Sequence, residues 1–327
     1  MSELKSKKYK QVKVKREDGT VVLVNKKRAN LSFENVTFTI LNTAFLIILA
    51  AVMLYPMLNV LAVSFNEAID STRGGITIWP RAWTLRNYEI VLNMPSILTA
   101  FYVSVARLVV TVISNLIPTT MLAYVLSRRH YLFVKPITII FVITMYFNVG
   151  MIPNYLFMQQ LGLLNTFTVY WLPGMISTFN LIVIRTYIRS LPESLIESAK
   201  IDGASEFRIF AQIVTPLCIP VLATITLFVA VGSWNDWFTN FLYNPGASHL
   251  TTLQYELQKL LANAASAGNS AAAAATQAAQ ASFGQTQVTP LSLRSTITVV
   301  TALPILLVYP FLQKYFVNGL MLGGVKE

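Results

Sequence analysis

Residue types that do covalent, metal or acid–base chemistry are scarce in this chain of 327 residues: one cysteine, two histidines (His130 and His249) and 14 carboxylates. A single cysteine excludes a disulfide framework and any cysteine cage for zinc or an iron–sulfur cluster. Two histidines leave almost nothing for a metal site, and neither a His-Glu-x-x-His pattern nor a Walker phosphate loop is present. Gly323–Gly324 is too short to cradle a phosphate. His130 follows Arg128–Arg129 at a helix end, where a cation complements the last carbonyls, which accounts for it without a proton relay. The acids are scattered and lie mostly in loops. No catalytic residue, metal or cofactor is therefore expected on this chain. Arg107 is different, because it lies inside an apolar run. A charge at membrane depth must snorkel, pair or line a polar cavity, so a place in a translocation pathway stays open. The scarcity of acids within such runs argues against a proton- or sodium-coupled carrier, and energy for any transport must come from elsewhere.

The most informative spacing lies between Arg185 and Gln212: RTYIRSLPESLIESAKIDGASEFRIFAQ. Ser190, Pro192 and Glu193 predict a helix start with Ser190 as cap, Glu193 reaching back in a capping box and proline in an early helical position. Leu195, Ala199 and Ile196 supply an apolar face at three- and four-residue spacing. Asp202–Gly203 predicts an interruption, since glycine adopts turn geometry that other residues avoid. A second helix then starts near Ser205–Phe207 and ends before Pro216. Apolar side chains on such a water-facing piece need a cover, from lipid, from the protein's own bundle or from a partner.

The elements that must carry this segment are membrane helices. The hydrophobic fraction is 54% and only 12% of residues are charged, about half of what a soluble enzyme's surface needs. Six apolar runs are long enough, or nearly so, to cross a hydrocarbon core of about 30 Å, which takes roughly 20 helical residues. They cover 38–65, 98–126, 134–157, 167–184, 213–234 and 295–312, and prolines are tolerated in or beside them when neighbours satisfy the freed carbonyls. A soluble bundle would need a polar face on most helices, which these lack. Nineteen of the 25 lysines and arginines fall in the N-terminal arm, after the second run, between the fourth and fifth, and in the tail. Positive charge stays inside, so both termini are expected on the cytoplasmic side. This topology explains the net charge of +11 without a nucleic acid. The basic arm, residues 1–37, reads as a solvated topology signal, with contact to anionic lipid heads as the second reading. The first run starts too late and is too long for a cleaved signal peptide. Outside, Trp79 and Trp83 are expected to anchor a loop at the membrane interface. The Ala/Ser/Gln-rich stretch 261–287 reads as an exposed external insertion, helical in part.

With these residues in view, the chain resembles the membrane subunits of bacterial binding-protein-dependent ABC importers of the carbohydrate class, typified by the smaller permease of the maltose importer. Their hallmark is Glu-Ala-Ala, three residues, Gly, nine residues, Ile-x-Leu-Pro. Here it reads Glu197-Ser198-Ala199, Gly203, then Ile213-Val214-Thr215-Pro216. Ser198 and Thr215 depart from the pattern, and serine is small enough to keep the close packing. Arg185, Leu191–Pro192, Asp202-Gly203-Ala204, Trp234–Asn235, the passage 161–166 and the tail 313–317 are also similar, over residues 38–327 in all.

The resemblance implies an all-α integral membrane protein with the type I importer permease fold, multi-pass in the bacterial cytoplasmic membrane. It implies a coupling helix, with Glu197, Ser198, Ala199, Asp202, Gly203 and Ala204 meeting a cytoplasmic ATPase, in a segment spanning 190–212. It also implies the partners: two ATPase subunits that hold the ATP and magnesium, a second, distinct permease and an extracytoplasmic solute-binding protein. The similarity extends to permeases for complex-polysaccharide and uronate oligosaccharides. Sugar sites use aromatic faces and neutral hydrogen-bonding groups, so Tyr102, Asn115, Tyr146, Asn148, Tyr170, Asn180 and Trp234, with Arg107, are the pathway candidates. Packing is the competing account of each aromatic. An ABC permease for a peptide or other non-sugar substrate, and a structural or signalling membrane protein, are the competing functions.

Overall fold

The computed structural model describes residues 9–15, 21–27, 33–128, 131–147, 149–267 and 289–321. It divides into two compact units, residues 1–58 and 59–327. The first holds an antiparallel hairpin, β1 (Tyr9–Lys15) and β2 (Val21–Lys27), in register at Val12↔Val24. The all-α expectation is therefore corrected for the basic arm. Valines alternate with lysines along β1, the two-residue period of a strand, and an Asp-Gly pair separates the strands in sequence. Helix α1 (Phe33–Ser64) comes next, five residues longer at its start than the apolar run.

The remaining elements are helical. Short helices α2 (Ala68–Thr72) and α3 (Arg86–Leu92) lie in the loop that follows α1. Asn66, fully buried, knots that loop. Its Oδ1 accepts from the Arg81 and Ala82 N–H groups at 2.8 Å, and its Nδ2 donates to Asp70 and Ser71 at 3.0 Å. The bond from Asn66, with the Arg81 guanidinium alongside, holds the Asp70 carboxyl below the usual carboxylate range. Trp79 and Trp83 stand exposed on the same loop, edge to face at 5.3 Å.

Helix α4 (Pro95–Ser127) is the axis of the second unit and packs against most of its later long helices. Then come α5 (Val134–Tyr146), α6 (Met151–Gln160), a 3-10 turn at Phe167–Tyr170 and α7 (Thr178–Ser190). Next are α8 (Ser194–Ile201), α9 (Glu206–Ile209), a π turn at Phe210–Val214 and a last turn at Thr215–Leu217. The chain continues through α10 (Ile219–Asn235), α11 (Phe238–Tyr243), α12 (Leu253–Ala267) and α13 (Pro290–Met321). The first residues of the expected insertion prolong α12, whose Leu253 and Leu257 enter the core at helical spacing. Residues 268–287 of it lie outside the described residues.

Among the described residues, three helices (α1, α4 and α13) are long and apolar enough to cross a membrane. The number reaches five if each of two broken pairs counts as one span: α5 with α6, and Glu206–Leu217 with α10, which meet at 77°. Three expected runs are thus not continuous helices, and the 213–234 run is the one that bends at Cys218. The 134–157 run breaks where Gly150 takes φ +90° and Pro153 stands three residues on. The 167–184 run is irregular from Trp171 to Ser177, around Pro173 and Gly174, and α7 has 13 residues. Hydropathy counts side chains, whereas helix continuity depends on backbone donors and allowed φ. Irregular backbone at membrane depth is tolerated where protein satisfies its carbonyls. Asn115 on α4 does this, its Nδ2 donating to the Gly174 carbonyl at 2.9 Å.

Candidate functional site: the coupling segment and a buried polar layer

Helix α8 rests on the ends of α4 and α7. Ile196 and Ala199 enter the cluster formed by Ala123, Leu126, Ile184 and Ile188. Leu195, expected on that face, is 43% exposed instead. The expected capping box is not formed, because α7 continues to Ser190, whose hydroxyl donates to the Tyr187 carbonyl at 2.7 Å. Glu193 takes the cap position and α8 begins at Ser194. The bend agrees with expectation: Gly203 has φ +76°. Around it the Ala204 N–H bonds the Ala199 carbonyl and the Gly203 N–H bonds the Lys200 carbonyl, both at 3.0 Å. This nested pair is a Schellman closure, which satisfies the Ala199 and Lys200 carbonyls in the last turn of α8. Ser205 then caps α9, accepting from the Arg208 N–H at 3.4 Å.

The second helix does not end before Pro216. The π turn widens the backbone at 210–214, Thr215 Oγ1 donates to the Phe210 carbonyl at 2.8 Å, and the chain passes the proline before bending at Cys218. π turns are rare and cluster at functional sites. The outward side of the segment presents Glu197, Ser198 and Asp202 beside Ile201, 86% exposed, and Phe207, 69% exposed. Behind it, Glu206 Oε1 pairs with Lys200 at 2.6 Å and Oε2 accepts from the Tyr124 hydroxyl at 2.6 Å. The Arg128 guanidinium stacks 4.1 Å from the same Tyr124 ring. This network ties the α8–α9 segment to α4.

The pathway candidates fall into pairs. Arg107, 3% exposed, donates through Nη1 to the Asp236 carbonyl at 2.6 Å and through Nη2 to the Asp236 carboxylate. Its guanidinium also lies 4.5 Å from the Tyr170 ring. The Tyr170 hydroxyl donates to the Leu250 carbonyl at 2.6 Å. Asn115 Oδ1 accepts from Asn180 Nδ2 at 3.0 Å, so these two amides join α4 to α7. Trp234 is buried and donates through Nε1 to the Thr301 carbonyl at 3.0 Å, joining α10 to α13. Tyr146 is 81% exposed and Tyr102 70%. They stand apart from the pairs. Asn148 lies outside the described residues.

Asn115→Leu is expected to leave the Gly174 carbonyl and the Asn180 amide short of partners. The loss of stability is about 1–2 kcal/mol, near the upper end for interhelical hydrogen bonds in membranes. Chemical unfolding of the purified chain in mild detergent measures it, and an unchanged midpoint would contradict the role.

Asp236, Tyr124 and Glu206 were not singled out by sequence reasoning. A signal for the first existed: Asp236 is the only acid between Glu206 and Glu256, directly after Trp234–Asn235. Tyr124 carried no such mark, because a tyrosine near a helix end has many ordinary uses. No cluster of three or more metal-ligating side chains occurs among the described residues.

Comparison with known proteins places this architecture. Residues 26–322 match the family described as the inner membrane component of binding-protein-dependent transport systems. Protein LplC of Bacillus subtilis is 36% identical over 290 residues, covering 88% of this chain and 95% of its own length. The polygalacturonan/rhamnogalacturonan transport system permease protein YtcP of the same organism is 33% identical over 293 residues, covering 90% and 99%. A chain in the crystal structure of a bacterial ABC transporter involved in the import of the acidic polysaccharide alginate superposes with a TM-score of 0.80. Its identity is 29%, over 88% of this chain and 99% of that one. With the Glu197–Gly203–Pro216 spacing and a bent, core-docked segment to carry it, the chain belongs to the binding-protein-dependent transport family, as an inner-membrane permease component of an ABC importer.

Proposed function

We propose that this chain is one of two permease halves of an ATP-driven importer for oligosaccharides of complex, acidic polysaccharides. The observation that carries the coupling role is the two-sidedness of α8. One face is locked into the core through Ile196 and Ala199, and the other offers Glu197 beside exposed Leu195 and Ile201. An exposed apolar patch rimmed by charge calls for a protein cover. In this reading the cover is a cytoplasmic ATPase subunit, which holds the ATP and magnesium. The Glu197 carboxylate makes a charged contact, and closure of the ATPase dimer pushes on α8. Coupling then means that ATPase states favour one membrane state over the other through different contacts.

Six spans result if α7 and the turn before it count as one crossing. Alone, α7 is about 20 Å long, too short for the hydrocarbon core. Asn115 makes the irregular remainder tolerable by binding its carbonyl. Both termini then lie on the cytoplasmic side, in agreement with the charge distribution. The carbohydrate assignment draws support from the relative named for polygalacturonan and rhamnogalacturonan and from the alginate importer. The buried Arg107, Asn115, Tyr170, Asn180 and Trp234 line the route as structural walls, with sugar contacts shared with a second, distinct permease. An extracytoplasmic binding protein delivers the substrate.

Affinity purification from gently solubilised native membranes tests this reading. Two ATPase copies, one different permease and a sugar-binding protein are expected per chain, and recovery of the chain alone across several mild detergents would contradict it. Glu197→Ala should weaken ATPase association by about tenfold without abolishing it, the scale of one hydrogen bond to a charged group. A binding titration of the ATPase against the purified chain reads this directly.

A further inference from the structure

Beside the coupling segment, but facing α5, lies a cavity of about 490 Å³ lined by Arg128, Lys135, Arg185 and Arg189, with Tyr131 and Leu132 at its edge. Four cations converge here, and no carboxylate is among the described lining residues. Arg185 and Arg189 stand four residues apart on one face of α7, a spacing at which like charges repel. The nearest carboxylates, Glu193 and Glu197, line an adjoining cavity that shares Arg128 and Arg189 with this one but not Lys135 or Arg185, and Glu206 is engaged by Lys200 and Tyr124. Arg185 spends Nε on the Leu126 carbonyl at 2.8 Å, the end of α4. Arg128 has two buried nitrogens, Nε and Nη2, without an acceptor among the described residues. The cavity is thus rich in donors and charge and poor in acceptors.

We propose that this cavity binds the phosphate headgroup of an anionic phospholipid. A phosphodiester supplies both the missing negative charge and several acceptor oxygens, and arginine forks match its geometry. Basic pockets between membrane helices on the cytoplasmic side take anionic lipid heads. The surroundings favour a lipid over free phosphate. Leu132 is 86% exposed at the rim, and α5 leads away from Lys135 with Ile139, Ile140 and Ile143 exposed along it. Those side chains provide an apolar track for an acyl chain directly below the charged pocket. The bound lipid would offset the Arg185–Arg189 repulsion and steady the joint between α4, α5 and α7 on which α8 rests.

The test uses the full chain in a neutral detergent, with native mass spectrometry reading binding of dioctanoyl phosphatidylglycerol. Lys135 and Arg189 make no hydrogen bond or ion pair among the described residues, so K135Q/R189Q should fold normally. Saturable binding is expected in the wild type, weakened about tenfold or more in the double variant, with each removed charge contributing several-fold. K135R/R189K keeps the charges and should retain binding. Dioctanoyl phosphatidylcholine should bind both proteins weakly and alike. Equal phosphatidylglycerol binding by wild type and K135Q/R189Q would overturn the proposal. Displacement of the lipid by inorganic phosphate at equal concentration would also overturn it, by identifying a simple anion pocket. Micelles have no inside or outside, so this result is independent of the chain's orientation and of its cargo.

Discussion

A Gly203→Trp variant is expected to reach the membrane at the normal level and to lose oligosaccharide uptake, by on the order of a hundredfold, the effect of disrupting an interface hot spot. Gly203 takes φ +76°, and a side chain there carries a backbone cost of about 1–2 kcal/mol. That cost is small against the roughly 5–15 kcal/mol stability of a typical domain, so the fold should survive. A Cβ added at Gly203 meets no atom within 4 Å. The indole therefore projects from the exposed side of the bend, onto the surface assigned to the ATPase, and not into the core. Gly203→Ala separates the two contributions, because it keeps the strain and removes the bulk, and uptake should fall by about tenfold or less. Transport of labelled oligosaccharide in a deletion strain, normalised to membrane-inserted protein, provides the measurement. Normal uptake by the tryptophan variant would remove the coupling assignment.

Breaking the Arg107–Asp236 pair should have the largest effect on stability. Both ends of Asp236 are in use: its carbonyl and carboxylate accept from Arg107, and the carboxylate also accepts from the Thr239 N–H at 3.1 Å. Asp236→Ala leaves a guanidinium buried against Tyr170 without its counter-charge, at a cost of about 3–5 kcal/mol. The double variant Arg107→Met/Asp236→Ala removes the charge as well as its partner and should regain most of that loss, since well-packed apolar replacements of buried pairs are often neutral. Thermal unfolding in detergent, read as the fraction remaining monodisperse after heating, distinguishes them. If the single variant were as stable as the wild type, Arg107 would be reaching water or lipid headgroups and the pair would be incidental.

The bend at Gly203 was legible in the sequence because a positive φ is a local requirement, and glycine meets it at little cost. The same holds for Ser205, whose cap needs only the three residues after it. The capping box at Ser190 failed because where α7 stops is decided elsewhere. Arg185 clasps the end of α4, and the Leu191 N–H still bonds the Ile188 carbonyl, so Ser190 stays helical. Arg107 was recognised as costly in an apolar run, but its partner is 129 positions away in the chain. No spacing rule reaches that far. The irregular stretch before α7 shows the opposite limit. Pro173 and Gly174 are visible in the sequence, yet their tolerance depends on Asn115, on another helix. Likewise the hairpin in the basic arm has a readable period of two, but the lysines that set that period also read as topology-setting charge.

The closure of α8 on itself has a mechanical consequence. At the bend the Ala204 and Gly203 N–H groups bind the Ala199 and Lys200 carbonyls, and Glu206, held by Lys200 on one side and Tyr124 on the other, stitches the next turn to α4. A load applied at Glu197 therefore meets no slack loop in which work could be dissipated. It passes through a short, stiff lever to the end of α4 and to the π turn, where the regular helical ladder is interrupted. The elbow of the machine would thus lie at 210–218, well beyond the point of contact and not at the contact itself.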